Sequence, residues 1–349
     1  MKLYKYSGAG NDFVVLDGRA GHCDAAELEH YRDASAISAL CDRSSGFRAA
    51  DGRVGADGLM ILGQEPGFDF RMEFYNPDGS SGMMCGNGGR CIVAFADFLG
   101  LVPSEGKIFR FIAADGVHTG EILSRDGGLW EVRLGMIDCL EYGPALDGWF
   151  LNTGTRHFVK FLDCGEALES LDIDAEGPRY RHDPAFAPVG ANANFVSVLP
   201  DGRLKVRTFE KGVEAETLAC GTGLTACALA SWLRVREKGA ETETLASLQI
   251  AFEKGADTET LTPLPRARES RDAGADLAEC SCPAVHVDLR ARIAEPAVHV
   301  DLRARIAELA VHVDLRARIA DLAVEFVPPC RPGAAFSEVF LIGPAELIG

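Results

Sequence analysis

The chain has 349 residues, 47% of them apolar and 25% charged, an ordinary globular composition and a length that points to two domains. Its 35 basic and 52 acidic residues leave a net charge of −17, which argues against nucleic acid or an anionic membrane surface as partners, since both need basic patches. No apolar run reaches membrane-spanning length, the amino end MKLYKYSGAGNDF lacks a signal-peptide core, and the eleven cysteines form no CxxC pair, so a cytoplasmic protein with free thiols and no structural zinc is expected.

In chain order, residues 1–17 read as strand, tight turn at Gly8-Ala9-Gly10-Asn11-Asp12, and strand. Apolar Leu28, Tyr31, Ile37 and Leu40 give 24–42 helical spacing, and 43–58 is glycine-rich loop. A strand over Phe70 to Tyr75 runs into the turn Asn76-Pro77-Asp78-Gly79. The stretch MCGNGGRC at 84–91 then opens an apolar helix. Strands are expected at 108–113, 130–134, 156–162, 194–199 and 203–209, and a second cysteine turn, ACGTGLTAC at 219–227, opens a helix over 222–236. Strands, cysteine turn and helix thus occur twice, which suggests two halves of α+β plan.

The region after the second helix is repetitive. AVHVDLRARIAE begins at 284 and again at 297, and AVHVDLRARIAD begins at 310, each with strand-like alternation. EKGVEAETLA at 210 returns as EKGAETETLA at 237 and EKGADTETLT at 253. Three thirteen-residue copies are few for a solenoid, so a tandem duplication of one surface strand is the preferred reading. Residues 262–283 read as loop or disorder.

The two turns carry the chemistry. A thiol acts as base only as thiolate, and its pKa falls at a helix amino terminus, where unpaired N–H groups carry partial positive charge. Glycines after the cysteine let a carboxylate reach those N–H groups. Two such turns facing each other could remove a proton from one side of a carbon and return one to the other, inverting a stereocentre without a cofactor. No phosphate loop and no GxGxxG after a strand is present. Elsewhere a cysteine is more simply a small buried side chain, the reading for Cys23, Cys41, Cys139, Cys164, Cys227 and Cys330. Cys91 is expected in the core, and Cys280 and Cys282 on an exposed loop.

GAGNDF at 8–13, FYNPDGSSGMMCGNGGRC at 74–91, NFV at 194–196 and RTFEKGVEAETLACGTG at 207–223 together resemble diaminopimelate epimerases. The resemblance covers about 1–236 and the last forty residues. It implies an α+β fold of two pseudo-symmetric domains, each a curved, mostly antiparallel sheet wrapped around a central helix, with the site in the cleft between them. The first would span 1–128 plus 337–349 and carry Cys85; the second would span 129–336 and carry Cys220, with an insertion and tandem repeats at 237–310. The implied reaction interconverts L,L- and meso-diaminopimelate, in lysine and peptidoglycan precursor synthesis, with no pyridoxal phosphate or other cofactor and no metal, in a cytoplasmic homodimer.

By the same resemblance Cys85 and Cys220 are the acid/base pair, and Gly86, Asn87, Gly221 and Thr222 hold the α-carboxylate. Asn11, Asn76, Asn192, Glu210 and Lys211 bind substrate, and His157 and Glu210 tune the cysteines. Each has a plainer reading: Asn11 and Asn76 as turn residues, Asn192 as loop polarity, His157 as a satisfied core histidine, Glu210 and Lys211 as a solvated pair. The chain departs from the family in several places, the threefold VHVDL strand among them. Lys211 replaces an arginine and loses the planar fork that grips a carboxylate. Gly154-Thr155-Arg156-His157 stands where the family has proline before histidine; Thr155 can still hydrogen-bond substrate. Residues 43–57 are longer than usual. Two alternatives stay open: a racemase of the same fold acting on proline or hydroxyproline, and a decayed, non-catalytic homologue.

Overall fold

The computed structural model describes residues 1–82, 85–163, 165–199, 204–217, 220–237, 311–317, 320–329, 331 and 333–349. Cys164, Cys280, Cys282, Cys330 and the repeats over 238–310 lie outside the described residues. The first run of elements is β1 (Leu3–Gly8), β2 (Asn11–Asp17), α1 (Ala25–His30), α2 (Ala34–Cys41), β3 (Leu59–Gly63), β4 (Phe70–Tyr75), α3 (Gly86–Phe98), β5 (Ile108–Ala113), β6 (Gly116–Asp126) and β7 (Leu129–Gly135). The second is β8 (Tyr142–Ala145), β9 (Gly148–Asn152), β10 (Arg156–Leu162), α4 (Gly165–Glu169), α5 (Ile173–Arg181), β11 (Asn192–Val198), β12 (Leu204–Glu210), β13 (Ala215–Thr217), α6 (Gly221–Glu237), β14 (Val311–Ala317), β15 (Ala320–Val327) and β16 (Ser337–Leu347).

The two runs share one plan. From β1 to β7 the pairings are antiparallel, parallel, antiparallel, parallel, antiparallel, antiparallel. From β9 through β10, β11, β12, β14 and β15 to β16 the same series recurs. In both, a pair of short helices joins the second and third strands, and a cysteine turn with a long helix follows the fourth. Strand β16 pairs with β7 on one side and with β15 on the other, and also meets β1, so the first sheet closes around α3 while remaining continuous with the second. The fold is therefore α+β with a curved, mostly antiparallel sheet around each central helix.

Burial explains why the strands read as unbroken apolar runs. In β2, Phe13 and Val15 face α3, while Val14 and Leu16 pack with Ile37 and Cys41 of α2 on the outer face. In β11, Val196 joins the core around α6 and Phe195 the outer core with Ile173 and Tyr180 of α5. Both faces are covered, so both parities are apolar. The central helices are buried nearly all round, α3 from Gly86 to Ala96 without a break, as expected of a helix apolar on every face.

The single helical pattern over 24–42 is interrupted. Asp33 accepts the N–H groups of Ser35 and Ala36 as a new N-cap, which ends α1 and restarts the chain as α2. The third repeat copy supplies β14, paired with β15 and at its end with β12.

Candidate active site

Strand period places the polar residues. Leu204 and Val206 of β12 and Val159 of β10 point at α6, so Thr208, Glu210 and His157 share that inner face. On β11, Asn192 and Asn194 share the face of Val196 for the same reason. These polar positions cluster at the strand ends beside the amino terminus of α6. In the other half Asn11 opens β2, at the end of a turn through Ala9 (φ 47°) and Gly10 (φ 97°), and Asn76 follows β4.

The two cysteine turns meet. Cys85 is the N-cap of α3, its Sγ accepting the Gly88 N–H at 3.2 Å. Cys220 stands at the same place before α6, its carbonyl accepting the Leu224 N–H at 2.8 Å. Gly86 and Gly221 abut: a Cβ on Gly221 would lie 3.4 Å from Gly86 Cα. The first-turn amides of both helices, which have no carbonyl one turn back, thus converge on one place, doubling the attraction for an anion.

A cleft of about 990 Å³ opens over that junction. Asn11, Asn76, Cys85, Gly86, Asn87, Thr155, Asn192, Glu210, Lys211, Cys220, Gly221 and Thr222 all line it, together with Arg43, Asp57, Asn152 and Arg156. Of the residues singled out in the sequence, His157 alone stays off the wall. It is fully buried behind Thr222, and burial holds its imidazole down at about 3, so it is neutral at neutral pH.

Its tautomer follows from its neighbours. Asn194 accepts the Thr208 hydroxyl at Oδ1 (2.9 Å) and donates from Nδ2 to Phe158 O (2.9 Å), which fixes its amide and turns Nδ2 toward His157 Nδ1 at 3.1 Å. The proton of His157 then sits on Nε2, 2.8 Å from Thr155 Oγ1 and 3.0 Å from Thr222 Oγ1. Thr222 Oγ1 lies 3.4 Å from Cys220 Sγ, and Thr153 Oγ1 donates to Thr222 O at 2.8 Å. A chain of hydrogen bonds thus runs from the core to the thiol.

Both thiols are harder to ionise than usual. Burial pushes Cys220 up to about 12, helped by the nearby Glu210 charge, with the Thr222 hydroxyl and Gly223 N–H opposing. Burial also raises Cys85, against the Gly88 N–H and the Arg90 cation. Desolvation raises the Glu210 carboxyl too. Burial thus favours the protonated form of both thiols, beside a carboxyl group that burial also favours in its protonated form.

Comparison with known proteins agrees with this geometry. Residues 3–111 match the family model for diaminopimelate epimerase. A diaminopimelate epimerase of Flavobacterium psychrophilum is 40% identical over 230 residues, 66% of this chain and 81% of that protein. One from Chlorobaculum tepidum is 39% identical over 250 residues, 68% of this chain and 89% of that protein. The chain belongs to the diaminopimelate epimerase family. Among solved structures, a PhzF-family phenazine biosynthesis protein of Bacillus anthracis matches with a TM-score of 0.56 and 10% identity, over 100% of this chain and 98% of that one. A probable proline racemase of Agrobacterium radiobacter, with bound carbonate, matches with a TM-score of 0.53 and 14% identity, over 99% and 91%. At such identities these two show the fold alone.

Sequence reading of this epimerase-family site missed Asn194, Thr208 and Arg90. Asn194 was visible as a second asparagine two residues after Asn192, hence on the same strand face. Arg90 was visible as a lone cation between a glycine turn and an apolar run. The small-buried-thiol reading holds for Cys41, Cys139 and Cys227, and Cys91 is in the core; Cys23 instead is only half-buried.

Proposed function

We propose that this chain epimerises diaminopimelate, interconverting the L,L and meso forms by proton transfer between Cys85 and Cys220 at one α-carbon. The observation that carries this reading is the convergence of two cysteine-capped helix termini on one cleft, with only glycine between them. A carboxylate seated on the first-turn amides, at Gly86, Asn87, Gly221 and Thr222, brings its α-carbon between the two sulfurs. One thiolate takes the α-proton, and the opposite thiol delivers another to the far face; the reverse reaction exchanges the roles. The α-proton is weakly acidic, so the amides that hold the carboxylate must also stabilise the carbanion in a site closed to water.

Glu210 has a part in starting this cycle. Its negative charge raises Cys220. A substrate ammonium placed against Glu210 cancels that push and eases loss of the thiol proton. The distal amino-acid centre of the substrate is left for Asn76, Asn192 and Lys211, with Asn11 and Thr155 completing the polar wall. His157 acts at second hand, by holding the Thr222 hydroxyl against Cys220.

The same reading places the enzyme in the cytoplasm, in keeping with seven described cysteines that are all unpaired, and as a homodimer, which sedimentation would check. The deciding experiment is incubation with L,L-diaminopimelate in deuterated water, with proline as a control substrate. Wild type should give the meso isomer carrying deuterium at one α-carbon, Cys85→Ala and Cys220→Ala should abolish epimerisation, and proline should not exchange. Absence of deuterium from diaminopimelate with wild type would overturn the reading.

A further inference from the structure

Arg90 is fully buried, in the first turns of α3, and forms no ion pair with a carboxylate among the described residues. Its guanidinium is held by neutral acceptors: Nη2 donates to Asn87 Oδ1 at 2.8 Å, Nη1 to Gly86 O at 3.2 Å, and Nε to Pro344 O of β16 at 3.3 Å. A Cβ at Gly343 would lie 2.2 Å from Leu322 Cδ2 and 3.3 Å from Arg90 Nε, so a side chain there would crowd both. A buried cation without a counter-ion is costly, and burial lowers this guanidinium from its ordinary value while leaving it charged at neutral pH. Its bonds to Gly86 O and Asn87 Oδ1 hold it beside the two residues that follow Cys85, and Cys91 is its neighbour along the helix. Cys91 lies deep in the core, off the cleft, whereas Cys85 lines the cleft where substrate would lie. That leaves Cys85.

We propose that Arg90 is a positioning residue for the Cys85 half-reaction, a permanent buried positive charge whose counter-ion is the Cys85 thiolate formed during turnover. Its second task is to orient the first-half amides. With Oδ1 turned to Arg90, Asn87 must present Nδ2 to Asn11 Oδ1, at 2.7 Å, and Asn11 in turn gives Nδ2 to Asp57 Oδ2, at 3.0 Å. One guanidinium therefore sets the direction of two side chains on the cleft wall.

The charged and titratable groups that face Cys85 are Arg90 and Cys91 on its own helix, Glu210 from β12 and Cys220 before α6. Arg90 is the one cation in that set. The two halves are thus poised differently: Glu210 faces both thiols, and Arg90 adds a cation on the Cys85 side.

The catalytic meaning of this inference rests on the two-thiol reading above, but its test does not need turnover. In a Cys220→Ala background, alkylation of Cys85 by iodoacetamide is followed against pH, with the Cys85 peptide quantified by mass spectrometry. Arg90→Gln should raise the midpoint by about one pH unit, and Arg90→Lys, which keeps the charge, should leave it close to the parent. A second measurement keeps Arg90 in place: Cys85 in Cys220→Ala should titrate at least about one unit below Cys220 in Cys85→Ala. An unchanged midpoint in folded Arg90→Gln, an equal shift in Arg90→Lys, or Cys220 titrating at or below Cys85 overturns the proposal. If Arg90→Gln does not fold, the order of the two thiols decides. A shifted midpoint in a protein without epimerase activity would sink the functional reading and leave this one standing.

Discussion

Gly86 and Gly221 lie back to back, and Leu341 of β16 seals the seam between them. A Cβ on Gly221 would stand 3.0 Å from Leu341 Cδ2, and one on Gly86 only 2.7 Å from it. The two helix termini can therefore share one anion seat only while both positions lack a side chain. Gly221→Ala should cost about 1–3 kcal/mol by overpacking and lower kcat/KM more than tenfold by parting the turns. Leu341→Ala, costly on its own as a buried truncation, should cost clearly less in the Gly221→Ala background than in the parent, without restoring activity. Chemical denaturation of the two single variants and the double variant measures the coupling; strict additivity would show that Leu341 is not what the methyl meets.

Much of this arrangement was legible beforehand because it is written in local signals. Both cysteine turns carry glycine at helix positions, and the runs behind them are apolar on every side, as buried central helices must be. Strands β1, β2, β4 and β10 showed clear runs between turn residues. Less visible were β6, whose outward-facing end from Leu123 to Asp126 is exposed, and the short β8 and β9. Helix α5 carries Pro178 in its interior, a breaker that tertiary packing of Ile173 and Tyr180 overrides. In the site, residues touching substrate in the family could be matched by motif. Residues acting through a neighbour, such as Asn194 through His157, appear only when strands β10 to β12 are laid side by side.

His157 supplies a prediction with a definite sign. Its imidazole is held at about 3 in the folded protein, against about 6.5 when exposed. Between these values the unfolded chain binds the extra proton, so stability rises with pH; the contribution is complete above pH 6.5 and is lost as pH falls toward 3. His157→Gln should flatten the dependence between pH 6.5 and 4.5 by as much as about 1.4 kcal/mol per unit. Denaturation midpoints at four pH values suffice to check it. A slope equal to that of the parent would mean that burial does not lower the imidazole in the native state.

Lys211 offers a test of substrate grip. Its N–H donates to Asn192 Oδ1 at 2.7 Å, so the backbone is anchored independently of the side chain. Lys211→Arg restores a planar fork at the cleft wall and should lower KM about fivefold with kcat within a factor of two, while Lys211→Ala should raise KM about tenfold or more. Steady-state kinetics with L,L-diaminopimelate separates the two parameters. A change confined to kcat would place this side chain at the reacting carbon instead of the distal end.

The support beneath Asn11 is asymmetric, and the asymmetry is measurable. Lys5 Nζ and Asp12 Oδ2 form a buried ion pair at 2.6 Å. Asp12 has a second cation, Arg43, at 2.7 Å, whereas the other bonds of the Lys5 ammonium go to backbone carbonyls, Gly55 O at 2.5 Å and Arg53 O at 3.5 Å. Removing the carboxylate strands a buried ammonium; removing the ammonium leaves a carboxylate that keeps Arg43. Asp12→Ala should therefore destabilise by about 3–5 kcal/mol, and Lys5→Met by clearly less, in urea titrations at neutral pH. Arg43 bridges the Asp12 and Asp57 carboxylates, and Asp57 accepts Asn11 Nδ2, so the carboxylate variant should loosen that bridge and lose activity beyond its loss of stability. If Lys5→Met proves the costlier change, Arg43 does not compensate Asp12, and the account of this corner of the cleft fails.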